Sequence, residues 1–216
     1  MDWTAQLDGY CERIDPSFWA EPLNAVTNAA FVLVAMLMWG RARSRGGRVL
    51  CAVLAVIGVG SFLFHTLATV WASLADTGPI AVFVLSYLYL ANRDFLGWSR
   101  LRAVLGLVAA IPAIALATPL LARVPFIGIS AMYWPVVLLI AGYGVALARL
   151  APELAGGLWL GAGILTLSLV SRSIDGLLCP VWPVGTHMLW HVLNAAMLGW
   201  MIELHARVRD GRTPAA

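Results

Sequence analysis

Lysine is absent from this 216-residue chain; all 14 basic residues are arginine. Chemistry that needs a Schiff-base lysine is therefore excluded, which removes retinal proteins and pyridoxal enzymes. Charge of either sign is scarce. Charged residues make up 12% of the chain and hydrophobic ones 61%, against roughly 25% and 45–50% in a soluble domain. A soluble globular fold does not fit that balance. A net charge of +3 spread over such a chain makes no continuous basic stripe, so a nucleic-acid binder is excluded too. Residues 1–20 contain Asp2, Asp8, Glu12 and Asp15 and lack an uninterrupted apolar run, so no cleavable signal peptide is expected. There is no internal repeat and no long linker. The composition describes a polytopic membrane protein forming one domain over residues 1–216.

Crossing the hydrocarbon takes about 20 mainly apolar residues per helix. Seven stretches fit: Asn24–Gly40, Val49–Thr69, Thr77–Ala91, Leu101–Leu121, Ile127–Leu147, Leu154–Val170 and Thr186–Leu204. The expected fold is all-α, a bundle of seven transmembrane helices. The third stretch is short, and Asp76-Thr77-Gly78-Pro79 reads as its opening, with an Asp near the N-cap and a Pro in the first turn. Arginines set the orientation. Eleven fall in the loops after spans 1, 3 and 5 and in the tail: Arg41, Arg43, Arg45, Arg48, Arg93, Arg100, Arg102, Arg149, Arg207, Arg209 and Arg212. Only Arg13, Arg123 and Arg172 fall on the other side. The N-terminal segment 1–22 is thus expected to be extracytoplasmic and the tail 205–216 cytoplasmic. Trp3, Trp19, Trp71, Trp98 and Trp182 fall near the predicted interfaces, as aromatic belts do.

The three cysteines bear on that orientation. Cys11 and Cys179 both fall on the oxidising side, where a bridge between them would persist, and Cys51 lies within span 2. Two free thiols fit the same placement.

Ionisable groups at membrane depth are costly and mark functional sites. Of the four histidines, His65, His187 and His191 fall at the outer ends of spans 2 and 7. His187 and His191 are four apart, so their imidazoles share a helix face and suit one metal ion. Ser61 lies one turn before His65, and Asp76 follows eleven residues after it. Three neutral imidazoles leave an open position on tetrahedral Zn²⁺, the pattern of catalytic zinc. Asp76 would serve as base and Ser61 as a donor to a developing oxyanion. The plainer readings are a helix cap for Asp76 and small-residue packing for Ser61. His205 sits near Arg207 at a helix C-terminus, where a cation is favoured without any ligand role. Asp8, Glu12, Asp15 and Glu21 cluster in the N-terminal segment, as Ca²⁺ ligands or as a solvated acidic surface. Asn24, Thr27 and Asn28 share one side of span 1, either bonding across the bundle or facing a polar pocket.

Three blocks carry a resemblance. The first is Tyr10-Cys11-Glu12-Arg13 with Phe18-Trp19-Ala20-Glu21-Pro22-Leu23-Asn24-Ala25-Val26-Thr27-Asn28. The second is Gly58-Val59-Gly60-Ser61-Phe62-Leu63-Phe64-His65 with Asp76 and Pro79 beyond it. The third is His187-Met188-Leu189-Trp190-His191, preceded by Ile174-Asp175 and Cys179. In these the chain resembles the alkaline ceramidase family, within a wider group of seven-helix metal-dependent hydrolases. The resemblance implies an intramembrane Zn²⁺ on His65, His187 and His191, with Asp76 and Ser61 at the catalytic centre. It also implies a Cys11–Cys179 disulfide and an outer N-terminus. It further implies Ca²⁺ in the N-terminal segment, on Glu12, Glu21 and the Tyr10 carbonyl. Gly9 and Ile14 stand where the family has Asp and Asn ligands, and Asp8 and Asp15, each one place away, are the substitutes.

The implied reaction is hydrolysis of ceramide to a sphingoid base and a fatty acid. The Arg-only, short-looped chain has a bacterial look, which points to an inner membrane. Many bacteria make no ceramide, so another long-chain amide or a lipid ester is the alternative substrate. No protein partner is expected. A seven-helix receptor or sensor with a structural zinc site is the competing class. A transporter would show an inverted repeat, and none is present.

Overall fold

A computed structural model describes residues 2–215, and among these the chain is helical. The helices are α1 (Pro22–Thr27), α2 (Ala29–Trp39), α3 (Arg45–Leu67), α4 (Val70–Asp94), α5 (Arg100–Leu121), α6 (Trp134–Leu147), α7 (Pro152–Leu178) and α8 (His187–Arg209). A 3-10 turn at Gly128–Ser130 precedes α6. α1 and α2 run as one rod, so the helices make seven rods. Five of the rods are long and apolar enough to cross a membrane.

Two rods fall outside those five, for different physical reasons. α6 has 14 residues, about 21 Å of helix against the roughly 30 Å of a hydrocarbon core. The expected span at Ile127–Leu147 opens with turn and 3-10 structure, and the helix waits for Trp134-Pro135, where Pro sits in the first turn. α8 is long enough but polar, carrying His187, His191, Asn194, Glu203 and His205, all buried. It packs against α2, α3, α4 and α7 near the middle of the bundle. Lipid is met by other rods. α5 packs mainly on α4 and α6 and exposes Leu101, Leu105, Leu116 and Leu120.

Three other expected boundaries also move. The third span opens at Val70 rather than near Thr77, so Asp76 is not a cap and Pro79 lies inside the helix. The chain turns from α3 into α4 over Ala68 and Thr69 alone, with Ala68 left-handed (φ 45°), which leaves no room for a later start. The sixth span extends to Leu178, placing Arg172 and Asp175 in α7 instead of in a loop. The seventh extends to Arg209, through the first five residues assigned to the tail.

Pro79 has a use where it stands. It has no N–H, so the Ala75 carbonyl one turn earlier loses its regular helical partner. That carbonyl lies against Gly60 of α3, where a Cβ would sit 2.0 Å from its oxygen and 3.3 Å from the Asp76 nitrogen. The bare Gly60 backbone lets α3 and α4 touch and brings Ser61 beside Asp76. Cross-helix bonds seat α8: Tyr87 Oη donates to the Met201 carbonyl (3.1 Å), Ser168 Oγ to the Trp190 carbonyl (3.1 Å), and Trp200 Nε1 to the Gly157 carbonyl (2.7 Å).

The two ends of the bundle differ. At one, Glu203 meets Arg41, Arg207 and Arg212, while Asp94 meets His205 and Arg209. His205 therefore bonds to Asp94 and lies outside the histidine cluster. At the other end lie the N-terminal segment, the α3–α4 turn and the Cys11–Cys179 disulfide. Leu7 N donates to the Ala68 carbonyl (2.6 Å) and Val70 N to the Ala5 carbonyl (3.2 Å), laying the segment over the turn. Cys51 is free and buried.

Gly60→Ala is expected to destabilise the protein by about 1–3 kcal/mol, the cost of overpacking where the neighbour is backbone and cannot swing aside. Unfolding in detergent measures it; a wild-type midpoint would show that α3 and α4 are not in contact there.

Candidate metal centre and the adjoining chamber

His65 lies near the end of α3, and His187 and His191 open α8. All three are buried, and one ligand-capable atom from each lies within 4.8 Å of the others. His65 Nε2 and His191 Nε2 are 3.1 Å apart. The outward nitrogens are held: His65 Nδ1 lies 2.6 Å from Glu21 Oε2, and His191 Nδ1 lies 2.9 Å from Thr27 Oγ1. Thr27 donates its own proton to the Leu23 carbonyl (2.7 Å) and so accepts from His191. With Nδ1–H given to Glu21 and Thr27, both Nε2 lone pairs face inward, the second-shell arrangement common to metal-ligating histidines. His187 Nδ1 is a buried nitrogen without a hydrogen-bond partner, and its ring stacks on Tyr10 at 3.6 Å. The triad fits a metal ion. Among the described residues no fourth His, Cys, Asp or Glu joins it, which leaves an open position.

The α1 face divides as the sequence reading allowed. Thr27 reaches the triad, Asn24 Nδ2 donates to Glu21 Oε2 (3.1 Å), and Asn28 Nδ2 turns back to the Asn24 carbonyl (2.8 Å).

Three residues whose part here was not read from the sequence position the triad. Glu21 was assigned to Ca²⁺; here it accepts from His65, Asn24 and Arg13, the last at 2.5 Å. Burial works to raise its carboxyl, and those bonds outweigh burial and hold it below the ordinary carboxylate range. Arg13 also donates to the His65 carbonyl (3.1 Å), locking the end of α3. Asp175 fixes α8: Oδ1 accepts from Thr186 N (2.6 Å) and His187 N (2.9 Å), and Oδ2 from Cys11 N (3.1 Å). Gly185, at φ +68°, gives way to it, since a Cβ there would sit 2.1 Å from Asp175 Oδ1. The signal for Glu21 was its place just before Pro22, in an acidic segment that holds one arginine, Arg13. Asp175 carried none beyond its place in the third block.

The residues expected to hold Ca²⁺ are otherwise engaged. Glu12 accepts from the backbone nitrogens of Leu23 (2.7 Å) and Asn24 (2.8 Å) at the start of α1, and Asp15 accepts from Ser17 N (2.7 Å). Asp8 is exposed, and the Tyr10 carbonyl accepts from Arg13 N (3.2 Å). With the Arg13 guanidinium on Glu21, the five fit a Ca²⁺ cage poorly, and no chemistry is derived from that ion.

Beside the triad is a chamber of about 370 Å³, lined by Tyr10, Phe64, Asp76, Tyr133, Arg172 and Trp190 among others. The half-buried Asp76 carboxylate is acted on by His65, Ser61 and Arg172. Tyr133 and Trp190 also line a narrow, almost wholly apolar cavity between α4, α6, α7 and α8. The site thus pairs a polar chamber with a hydrocarbon-compatible one.

Replacing Cys11 and Cys179 by serine is expected to cost about 2–4 kcal/mol of stability, because the bridge closes a long loop and clips the Arg13–Glu21 segment onto the bundle. Thermal unfolding with and without reductant measures it; no change on reduction would mean the segment is held without the bridge.

A family model described as Ceramidase matches residues 3–209, nearly the whole chain. No curated protein shows a significant match.

Proposed function

The chain belongs to the ceramidase family, and from that premise we propose that it is a zinc-dependent intramembrane hydrolase of a long-chain lipid amide, ceramide being the first candidate. The family supports a hydrolase acting on amide bonds and a lipid substrate. The observation that carries the zinc reading is the buried triad, two of its imidazoles oriented by Glu21 and Thr27, open on one side next to Asp76. His65, His187 and His191 would hold the ion. Zn²⁺, when bound, supplies Lewis acidity that makes a water reactive near neutral pH.

The chain's own residues divide the remaining work. Asp76 accepts a proton from the attacking water, which adds its oxygen to the acyl carbon. Ser61 donates a hydrogen bond to the oxyanion that develops on the carbonyl. The C–N bond breaks, Asp76 returns the proton to the leaving nitrogen, and a fatty acid and an amine remain. The apolar cavity takes the acyl chain, and the shared walls Tyr133 and Trp190 set the amide at the chamber. The open position favours this reading over a sensor with a structural site, which a fourth side chain would close.

We also propose that all seven rods cross the membrane with the N-terminus outside, in a bacterial inner membrane. Arg41, Arg207, Arg209 and Arg212 gather at one end and the disulfide lies at the other, which supports that orientation. The polar α8 crosses in the bundle interior, where its side chains find protein partners.

Purified protein is expected to hold about one Zn²⁺ per chain, and His65→Ala, His187→Ala and His191→Ala are each expected to lose it. Asp76→Asn is expected to keep the metal while ceramide hydrolysis falls about 10²–10⁴-fold. Ser61→Ala is expected to keep it and lose roughly 10²–10³-fold. Full zinc in the His187→Ala, His191→Ala double variant would overturn the ligand assignment, and wild-type turnover in Asp76→Asn would overturn the mechanism.

A further inference from the structure

Arg172 presents a cation to the chamber that Asp76 also lines. Part of its hydrogen-bonding capacity is used by the protein. Nη1 donates to the Ile129 carbonyl (2.7 Å) and to Ser130 Oγ (3.0 Å), and Nη2 makes one long contact to Tyr10 Oη (3.4 Å). Nε and the second Nη2 hydrogen have no protein acceptor among the described residues. The guanidinium carbon lies 6.0, 5.6 and 6.0 Å from the ring centroids of Tyr10, Tyr133 and Trp190. Three aromatic rings thus line the half-buried cation and leave part of it in a less polar setting, which strengthens a charge placed beside it there.

Among the described residues no carboxylate forms an ion pair with this arginine. The ion pairs among the described residues use Arg13, Arg41, Arg207, Arg209 and Arg212, and none includes Arg172. The chamber's other charges offset it only in part. Asp175 is occupied by three backbone N–H groups, Asp8 is exposed, and Asp76 acts on Arg172 across the chamber without forming an ion pair with it. Withdrawing a guanidinium from water without a counter-charge is costly. Tying the Ile129 loop to α7 takes only a neutral donor, so the charge calls for another explanation. Guanidinium is matched in shape and charge to a carboxylate or phosphate.

The location of such an anion follows from the two cavities. Tyr133 and Trp190 line both. An acyl chain in the apolar cavity therefore presents its amide at those walls, with the amine side of the molecule beside Arg172. We propose that Arg172 binds an anionic group on the amine side of the scissile amide, so that the preferred substrate is an acidic acyl amide rather than neutral ceramide. This rests on the amide-hydrolase reading above. One water is consumed, the acyl carbon gains OH, the nitrogen gains H, and the anion is unchanged by the reaction.

The test compares three amides with the same acyl chain: ceramide, ceramide 1-phosphate and the N-acyl derivative of glycine. The wild type is expected to show a kcat/KM for at least one acidic amide that is about 30-fold or more above that for ceramide, the scale of a desolvated charge pair. The phosphate and carboxylate arms tell which anion the site takes. In Arg172→Gln that ratio is expected to fall towards one, with Arg172→Lys intermediate. A structural role for Arg172 would lower all three rates together and leave the ratio unchanged, which overturns the proposal, as does a wild-type ratio at or below one. If the wild type hydrolyses none of the three, the amide-hydrolase reading fails. Equilibrium dialysis of the N-acylglycine and ceramide against wild type and Arg172→Gln then decides the role of Arg172 by the same ratio, read as affinity.

Discussion

The carboxylate of Asp175 is the joint on which the site depends. One oxygen receives the first backbone nitrogens of α8 and the other a nitrogen of the N-terminal segment. A helix N-terminus carries unsatisfied N–H groups and partial positive charge, so a buried carboxylate from a neighbouring helix both caps it and sets its rotation. The rotation of α8 decides whether His187 and His191 face His65. Next to that joint, the Cys11–Cys179 bridge ties the same segment to the end of α7. The segment then delivers Arg13 and Glu21 to His65 from the other side. Each imidazole is thus positioned by a group from a different part of the chain.

Membrane depth explains why Glu21 and Thr27 are so closely engaged. Water is not at hand to satisfy a stray polar atom, so the side chains around the triad bond to one another. Glu21 takes three donors, Thr27 both donates and accepts, and Asn28 turns back onto its own helix. The same constraint makes α8 look unlike a membrane helix. Its polar residues are affordable because α2, α3, α4 and α7 surround it, while the apolar faces of α5 and its neighbours meet lipid.

This division accounts for what could be read from the sequence. Apolar runs mark the rods because lipid selects for them, and the histidine triad stands out because ionisable residues are rare at that depth. Boundaries were harder. The start of α4 was missed because Asp76 and Pro79 imitate a helix opening, whereas their real surroundings, Ser61 and the bare Gly60 backbone, belong to another helix. The bonds of Glu21 were not foreseen because spacing within an acidic segment cannot show that Arg13 folds back onto it. Arg172 was counted with the outer loops, since nothing local marks α7 as running on to Leu178. The errors share a cause: each residue takes its meaning from a neighbour distant in sequence.

Arg172 also bears on how one small bundle can choose among lipids. The apolar cavity has few polar groups with which to distinguish one hydrocarbon tail from another, and a methylene there changes selectivity by only about 1–3 kcal/mol. On the proposed mechanism the triad, Ser61 and Asp76 would act on the amide itself, which all acyl amides share. Discrimination therefore falls to the part of the chamber facing the amine side, where Arg172, Tyr10 and Tyr133 stand. An aromatic-walled cation is selective because an anion meets a desolvated partner there, whereas a neutral group leaves donors unpaired. On that reading reaction type and substrate choice would be carried by different helices, the chemistry by α3, α4 and the start of α8 and the choice largely by α7. The substrate could then change through α7 while the histidine triad stays as it is.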